Sequence, residues 1–203
     1  MTDSASNAGY ADEAPRLFER YEFRDPAAIH APWAHFFPEP PARILDIGAG
    51  TGRDAAWFVS LGHSVLAVEP TDALREGAAK LHPEPEIEWL DDILPDLPKV
   101  MARGEQFDLI LMHAVWMHLT ESERAEGMGK LAQLLRPGGR IAMSQRHGPV
   151  PTGRRMFEVS GAETIALAAL HGLQNLLHER AESIQAENRA KAIEWTKLVF
   201  EKS

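Results

Sequence analysis

The chain has 203 residues, 44% hydrophobic and 25% charged, with no apolar run long enough to cross a bilayer. It reads as one domain, in which folding buries roughly 70% of the unfolded chain's surface, and with no cysteine it has no disulfide, zinc–thiolate site or thiol nucleophile. Acidic residues exceed basic ones by 30 to 21, a formal net charge of -9, so the average field repels a nucleic acid, which a binder must meet with positive charge.

Residues 1–11 are small and polar and read as a mobile terminus. The first twenty residues carry neither a basic n-region nor an apolar h-region, which predicts a cytoplasmic protein. From Glu13 to Phe37 aromatic residues alternate with charges, as in one or two amphipathic helices, until PEPPA (Pro38 to Ala42) forces extended backbone. Residues 1–41 are thus expected to form an N-terminal helical segment and residues 42–203 the main unit. RILDI (Arg43 to Ile47) predicts a buried strand, followed by a glycine turn and a helix over Asp54 to Leu61. SVLAVE (Ser64 to Glu69) is the second strand, with Thr71 as N-cap of a helix reaching Leu81. IEWL (Ile87 to Leu90) and FDLILMH (Phe107 to His113) are the third and fourth. Thr120 with Glu123 fits a capping box for a helix running to Leu135, which Pro137, Gly138 and Gly139 end. RIAMSQR (Arg140 to Arg146) is the fifth strand. Ser160 with Glu163 makes a second capping box, and two strand-like segments, GLQNLLHER and AIEWTKLVFEK, close the chain. Strands alternating with helices predict an α/β fold, a mostly parallel sheet covered on both faces with an antiparallel addition at the end.

Ligands of such sheets sit beyond the carboxyl ends of the strands. The first strand there reaches Asp46, and Gly48, Gly50 and Gly52 let a flat or extended ligand approach the main-chain amides. A dinucleotide fingerprint needs glycine where Arg53 stands, and the Gly-Lys-Ser/Thr of a P-loop is missing. Glu69, nineteen residues after Gly50, is placed to accept ribose hydroxyls, and Asp91 or Asp92 to accept an adenine amine. The structural alternatives are a bare strand-to-helix turn, a solvated Glu69, and loop acids acting as caps.

ILDIGAGTGRDA (Ile44 to Ala55), AVEP (Ala67 to Pro70), WLDDILPDL (Trp89 to Leu97), FDLILMHAVWMHL (Phe107 to Leu119) and LLRPGGRIAMS (Leu134 to Ser144) together resemble the successive motifs of class I S-adenosylmethionine-dependent methyltransferases. That resemblance implies a Rossmann-like seven-stranded sheet in order 3-2-1-4-5-7-6 with strand 7 antiparallel. It places Asp46, Gly48, Ala49, Gly50 and Gly52 along the methionyl part of S-adenosylmethionine, Glu69 on the ribose, and Pro70 against the adenine. Asp91 or Asp92, with Ile93, would surround the adenine edge, with Asp91 favoured by spacing, and His113 would stand beside the sulfonium.

The acceptor would then lie beside the sulfur, near the loops after the fourth and fifth strands. His118 is the first choice of general base, against a role in fixing the next helix; His147 and Arg146 are the further catalytic candidates. Trp116 is open equally to two readings, stacking on an aromatic acceptor or a place in the core or against the cofactor. Arg146, Arg154 and Arg155 form the dense basic cluster of an acidic chain, suited to an acceptor carboxylate or phosphate, against the alternative of solvated arginines on a loop. Tyr10, Tyr21 and Trp33 would belong to an N-terminal lid. The remaining histidines show no ligand spacing, so no metal is expected. The leading expectation is a methyltransferase of small molecules, with no nucleic-acid or membrane partner. A non-catalytic binder of the same fold, a protein methyltransferase and a nicotinamide-dependent oxidoreductase are the competing readings.

Overall fold

The computed structural model describes residues 5–183 and 185–203. Residues 1–4 of the segment read as a mobile terminus lie outside the described residues. Its end falls earlier than expected, because Gly9 takes a left-handed conformation (φ 76°) and starts helix α1 (Tyr10–Tyr21), with Asp12 and Glu13 in the first turn. A short α2 (Pro26–His30) follows, capped by Asp25, whose carboxylate accepts from the Ala27 N–H.

The main unit then alternates as its hydrophobic pattern predicts: β1 (Arg43–Ile47), α3 (Arg53–Ser60), β2 (Ser64–Val68), α4 (Asp72–Leu81), β3 (Ile87–Leu90), α5 (Pro98–Ala102) and β4 (Phe107–His113). A 3-10 turn over Trp116–His118 leads to α6 (Glu121–Leu134), then β5 (Leu135–His147), α7 (Gly161–Ala169), β6 (Leu173–Glu182), a short α8 (Ala186–Arg189) and β7 (Glu194–Lys202).

The seven strands form one sheet in the order β3-β2-β1-β4-β5-β7-β6. All neighbours from β3 to β5 are parallel, while β7 lies antiparallel between β5 and β6, with Arg146 opposite Trp195. Successive residues of a strand point to opposite faces, and both faces are buried here. Leu45, Ile47, Leu66, Val68, Ile110 and Met112 therefore join one core with α6, whereas Ile44, Val65, Ala67, Leu109 and Leu111 join another with Phe58 and Trp33. Trp33 and His30 are both fully buried, so α2 and the turn after it form part of this second core. Helix α1 packs on α4 through Ala14, Leu17 and Leu74. No helix among the described residues is long and apolar enough to cross a membrane.

Two capping expectations differ from the structure. At α6 the Thr120–Glu123 box is complete. At α7 only half of the box forms: Ser160 Oγ accepts from the Glu163 N–H, but the Glu163 carboxylate instead takes Arg124 of α6, with Arg124 Nη2 at 2.7 Å. Thr71 precedes α4 without a side-chain cap.

Candidate active site: a cavity over the carboxyl ends of the central strands

Beyond the carboxyl ends of β1, β2 and β4, and beneath α1, the fold leaves a cavity of about 810 Å³. That volume suits a small ligand. Its floor is the turn after β1. The N–H groups of Gly48 and Ala49 both donate to Val68 O (2.8 and 3.0 Å), and the Gly50 N–H donates to Glu69 Oε2 (2.9 Å). These amides are committed to tying β1 to β2, so the turn offers a ligand close approach rather than free donors. Gly48 carries φ 73°, and a Cβ there would meet Val115 Cγ2 at 2.5 Å, so strain and space both require glycine. Gly52 packs against His82 and Trp89 and is off the cavity wall, which corrects its placement along the ligand.

Glu69 accepts one backbone N–H on each oxygen, from Gly50 and from Thr71 (2.8 Å), and each oxygen retains a lone pair. Burial raises its pKa, with the bonds from Thr71 and Gly50 opposing. Asp46, only 2% exposed, lines the same wall and its Oδ2 has no hydrogen-bond partner. Burial, reinforced by Asp54, pushes its pKa well above the carboxylate range. A buried acceptor of this kind is costly unless a donor reaches it.

The adjacent pair of acids divides differently from the expectation. Asp91 is off the wall, bound to Lys99 Nζ (3.0 Å) and near Arg75 Nη1 (3.6 Å). Asp92 reaches the wall beside Ile93, but Oδ2 accepts from the N–H groups of Lys99 and Val100 and Oδ1 from that of Ile93. It caps α5, the structural alternative raised for loop acids. Pro70, Ile93 and Leu94 supply the apolar part of this end.

His113 lies deeper, its ring stacked on Trp195 (centroids 5.7 Å apart) with Nδ1 3.1 Å from Ser144 Oγ. Burial drives its pKa down to about 3 against the pull of Asp54, so the ring is neutral. Asp54 itself, though burial pushes it up, is held well below the usual range by His30 and Arg53.

At the other end, His118 sits between two groups of opposite kind. Its Nδ1 is 2.6 Å from the Arg155 carbonyl, which accepts only, so Nδ1 carries the proton and Nε2 accepts from Tyr10 Oη (3.1 Å). Burial lowers the His118 pKa, the Arg155 carbonyl opposes, and the charges of Arg154, Arg155 and Arg146 lower it further. Burial likewise raises that of Tyr10. Arg154 covers the Tyr10 ring at 3.3 Å and donates to Glu13 Oε2 (2.6 Å). Arg146 lines the cavity and donates to Pro149 O (2.9 Å).

Several expected site residues lie elsewhere. His147 is off the wall, with Nε2 2.8 Å from Thr196 Oγ1, because alternation along β5 puts it on the sheet face of Gln145 and Thr196, opposite to that of Arg146 and Trp195. Arg155 braces the α6 entrance, donating to His118 O and to Glu123 Oε2. Trp116 is fully buried core, as is Trp33, whose Nε1 donates to His30 Nδ1; Tyr10 and Tyr21 do line the cavity. Sequence reasoning missed Glu179 of β6 and Trp195 and Lys197 of β7, which form the far wall. Their signal was the alternation in EWTKLVF, which sets positions 195 and 197 on the face that Val199 continues into the core.

A family model of the methyltransferase domain matches residues 44–139. A ubiquinone biosynthesis O-methyltransferase of Bradyrhizobium sp. (strain ORS 278) is 35% identical over 102 residues, which is 50% of this chain and 39% of that one. An uncharacterized methyltransferase of Anoxybacillus flavithermus is 33% identical over 101 residues, 50% of this chain and 45% of its own. The chain thus spans less than half the length of these relatives. The crystal structure of the Burkholderia thailandensis 1,6-didemethyltoxoflavin-N1-methyltransferase, with its substrate and S-adenosylhomocysteine bound, superposes with a TM-score of 0.71 at 22% identity, covering 96% of this chain and 84% of that one. With its strand order, its glycine turn and this match through its central motifs, the chain has the fold of class I S-adenosylmethionine-dependent methyltransferases and carries sequence similar to their methyltransferase domain over residues 44–139.

Proposed function

We propose that the protein transfers a methyl group from S-adenosylmethionine to a small-molecule acceptor. The observation that carries this reading is the continuous cavity from Asp46 and Glu69 at one end to Tyr10 and His118 at the other. Its residues fit the donor. The unpartnered Asp46 Oδ2 matches an ammonium, Glu69 keeps lone pairs for two hydroxyls, and Pro70 and Ile93 suit a flat base. When bound, S-adenosylmethionine supplies a methyl group already activated by positive sulfur. The protein's part is then to orient the acceptor, exclude water and take up a proton.

Holding two reactants in line is worth ~7–11 kcal/mol of barrier, so positioning is the main contribution. Segment 5–41 serves as roof and wall through Tyr10 and Tyr21. The neutral His118 ring supplies the proton acceptor at Nε2, and the Arg155 carbonyl on Nδ1–H stabilises the imidazolium that results. Tyr10 Oη, already on Nε2, passes the proton from the acceptor or yields its place to it. His113 stays neutral near the sulfur, where a second positive charge would be unfavourable.

The roof over the site supports a small acceptor over a protein side chain, and so do two relatives, an O-methyltransferase of ubiquinone biosynthesis and a methyltransferase with 1,6-didemethyltoxoflavin bound. Titration calorimetry tests the donor: S-adenosylmethionine and S-adenosylhomocysteine bind and NAD does not. Folded protein that ignores both adenosyl compounds at millimolar concentration sinks the proposal. Labelled-methyl incorporation into metabolite pools then tests the acceptor.

A further inference from the structure

The cavity is electrically divided. Asp46 and Glu69 stand at the glycine-turn end, where Arg53 is paired with Asp54 (2.8 Å), while Arg146, Arg154 and Arg20 line the end closed by Tyr10, with Glu13 beside them. Arg155, the third member of the loop cluster, is committed to His118 O and Glu123 and takes no part. The Arg154 side chain is only 6% exposed. Glu13 accepts from its Nη2, but Nη1 is buried without a hydrogen-bond partner. A guanidinium does not discharge at accessible pH, so such a donor calls for an acceptor group. Arg146 is partly buried, bonded to the Pro149 carbonyl, and lies within electrostatic reach of Arg20 and Tyr10. Both Arg146 and Arg154 act electrostatically on His118. Glu13 is the acidic partner among these groups, and it occupies one nitrogen of one arginine.

We propose that the acceptor is an anion, carrying a carboxylate or phosphate held by Arg154 Nη1 and Arg146 so that its nucleophilic atom lies beside Tyr10 and His118. This rests on the methyl-transfer reading of the same cavity and names its substrate class. A neutral acceptor can pair Arg154 Nη1 through an oxygen but leaves the charge of two guanidiniums uncompensated, and a cationic one is repelled by both. An anion satisfies both by charge-assisted bonds, which are shorter and stronger than neutral ones.

Benzoate, phenyl phosphate and the neutral isostere benzamide, titrated into protein saturated with S-adenosylhomocysteine, test the site. At least one anion is expected to bind about ten-fold more tightly than benzamide, and the tighter of the two identifies the headgroup. Arg154→Gln and Arg146→Gln each weaken that anion roughly ten-fold, Arg154→Lys retains part of the affinity, and S-adenosylhomocysteine binding changes less than about two-fold. Benzamide binding as tightly as the anions, no anion binding at millimolar concentration, or unchanged anion affinity in both Gln variants overturns the proposal. Failure of the wild type to bind S-adenosylhomocysteine defeats the methyl-transfer reading instead, and the same titrations on protein alone then decide the arginine site.

Discussion

His118 shows how burial and hydrogen bonding set a residue's chemistry together. Its pKa lies below the ordinary value of ~6.5, so the neutral base is present above that value and is lost as pH falls through the depressed one. The acid limb of kcat/KM is therefore expected below about pH 6.5. Tyr10→Phe removes a donor that favours the neutral ring, and should move that limb to higher pH. His118→Ala should lower kcat by about 10²–10⁴ with S-adenosylhomocysteine affinity unchanged. A profile without an acid limb, or an active Ala variant, removes His118 as the base. Asp46 works in the opposite sense. Its raised pKa keeps part of the free protein protonated above the usual carboxylate range, and only the ionised form receives an ammonium. Affinity for S-adenosylhomocysteine should thus climb with pH until Asp46 is ionised. Asp46→Asn should bind at least roughly ten-fold more weakly and lose that dependence. Sequence reached these two residues because strand ends and loop order locate them. Spacing favoured Asp91 over Asp92, whereas Asp92 reaches the wall, since the outcome rests on which carboxylate meets Lys99 Nζ and which meets the α5 amides. Sequence also placed His147 at the site on proximity in sequence alone, whereas alternation along β5 turns that ring toward Thr196.

The first turn of α6 links element stability to the position of His118. Thr120 Oγ1 accepts from the Glu123 N–H, Glu123 Oε2 accepts from the Thr120 N–H, and the same oxygen takes Arg155 Nη2 at 2.7 Å. Arg155 in turn donates to His118 O and presents its own carbonyl to the ring. Loss of an N-cap costs ~1 kcal/mol, about 2–4 °C in Tm for a domain of this size. Thr120→Ala should show that shift in a thermal melt with activity largely retained, because Glu123 still holds Arg155. Glu123→Gln should match it in Tm yet lose more of kcat, since the brace on His118 loses its charge. Equal loss of kcat in both variants argues against the brace. The box was legible as Thr-x-x-Glu before an apolar pattern. The Ser160–Glu163 spacing was just as good, but a spacing rule does not see that Arg124 of α6 stands opposite Glu163 and competes for its carboxylate.

Across the molecule, hydrophobic periodicity was enough to find five strands, because each buried strand must carry apolar residues on both faces, and the longer helices between them, but not the five-residue α5, which is too short to show a period. The order β3-β2-β1-β4-β5-β7-β6 was available only through the family resemblance: pairing depends on contacts between distant segments. The N-terminal segment proved the least legible. Its aromatics looked alike in sequence, yet Trp33 is core and Tyr10 is cavity wall, separated by α2 and its seat against α3. This segment gives a whole-molecule test of the proposed roof. Helix α1 rests on α4, where the Phe18 ring lies over Gly77 so closely that a Cβ would meet Phe18 Cζ at 2.7 Å. Gly77 is a helical residue without positive φ, so on an open surface a side chain there would stabilise the helix by roughly 0.5–1 kcal/mol. Here the added atoms displace Phe18 and lift α1, carrying Tyr10 and Glu13 away from His118 and Arg154. Gly77→Leu should therefore keep its far-UV circular dichroism and its S-adenosylhomocysteine binding while losing ten-fold or more of kcat/KM, as a shift of about 1 Å at a reacting centre can cost about 10². Full activity in a folded Gly77→Leu variant would mean that α1 does not need its seat on α4 to complete the acceptor end.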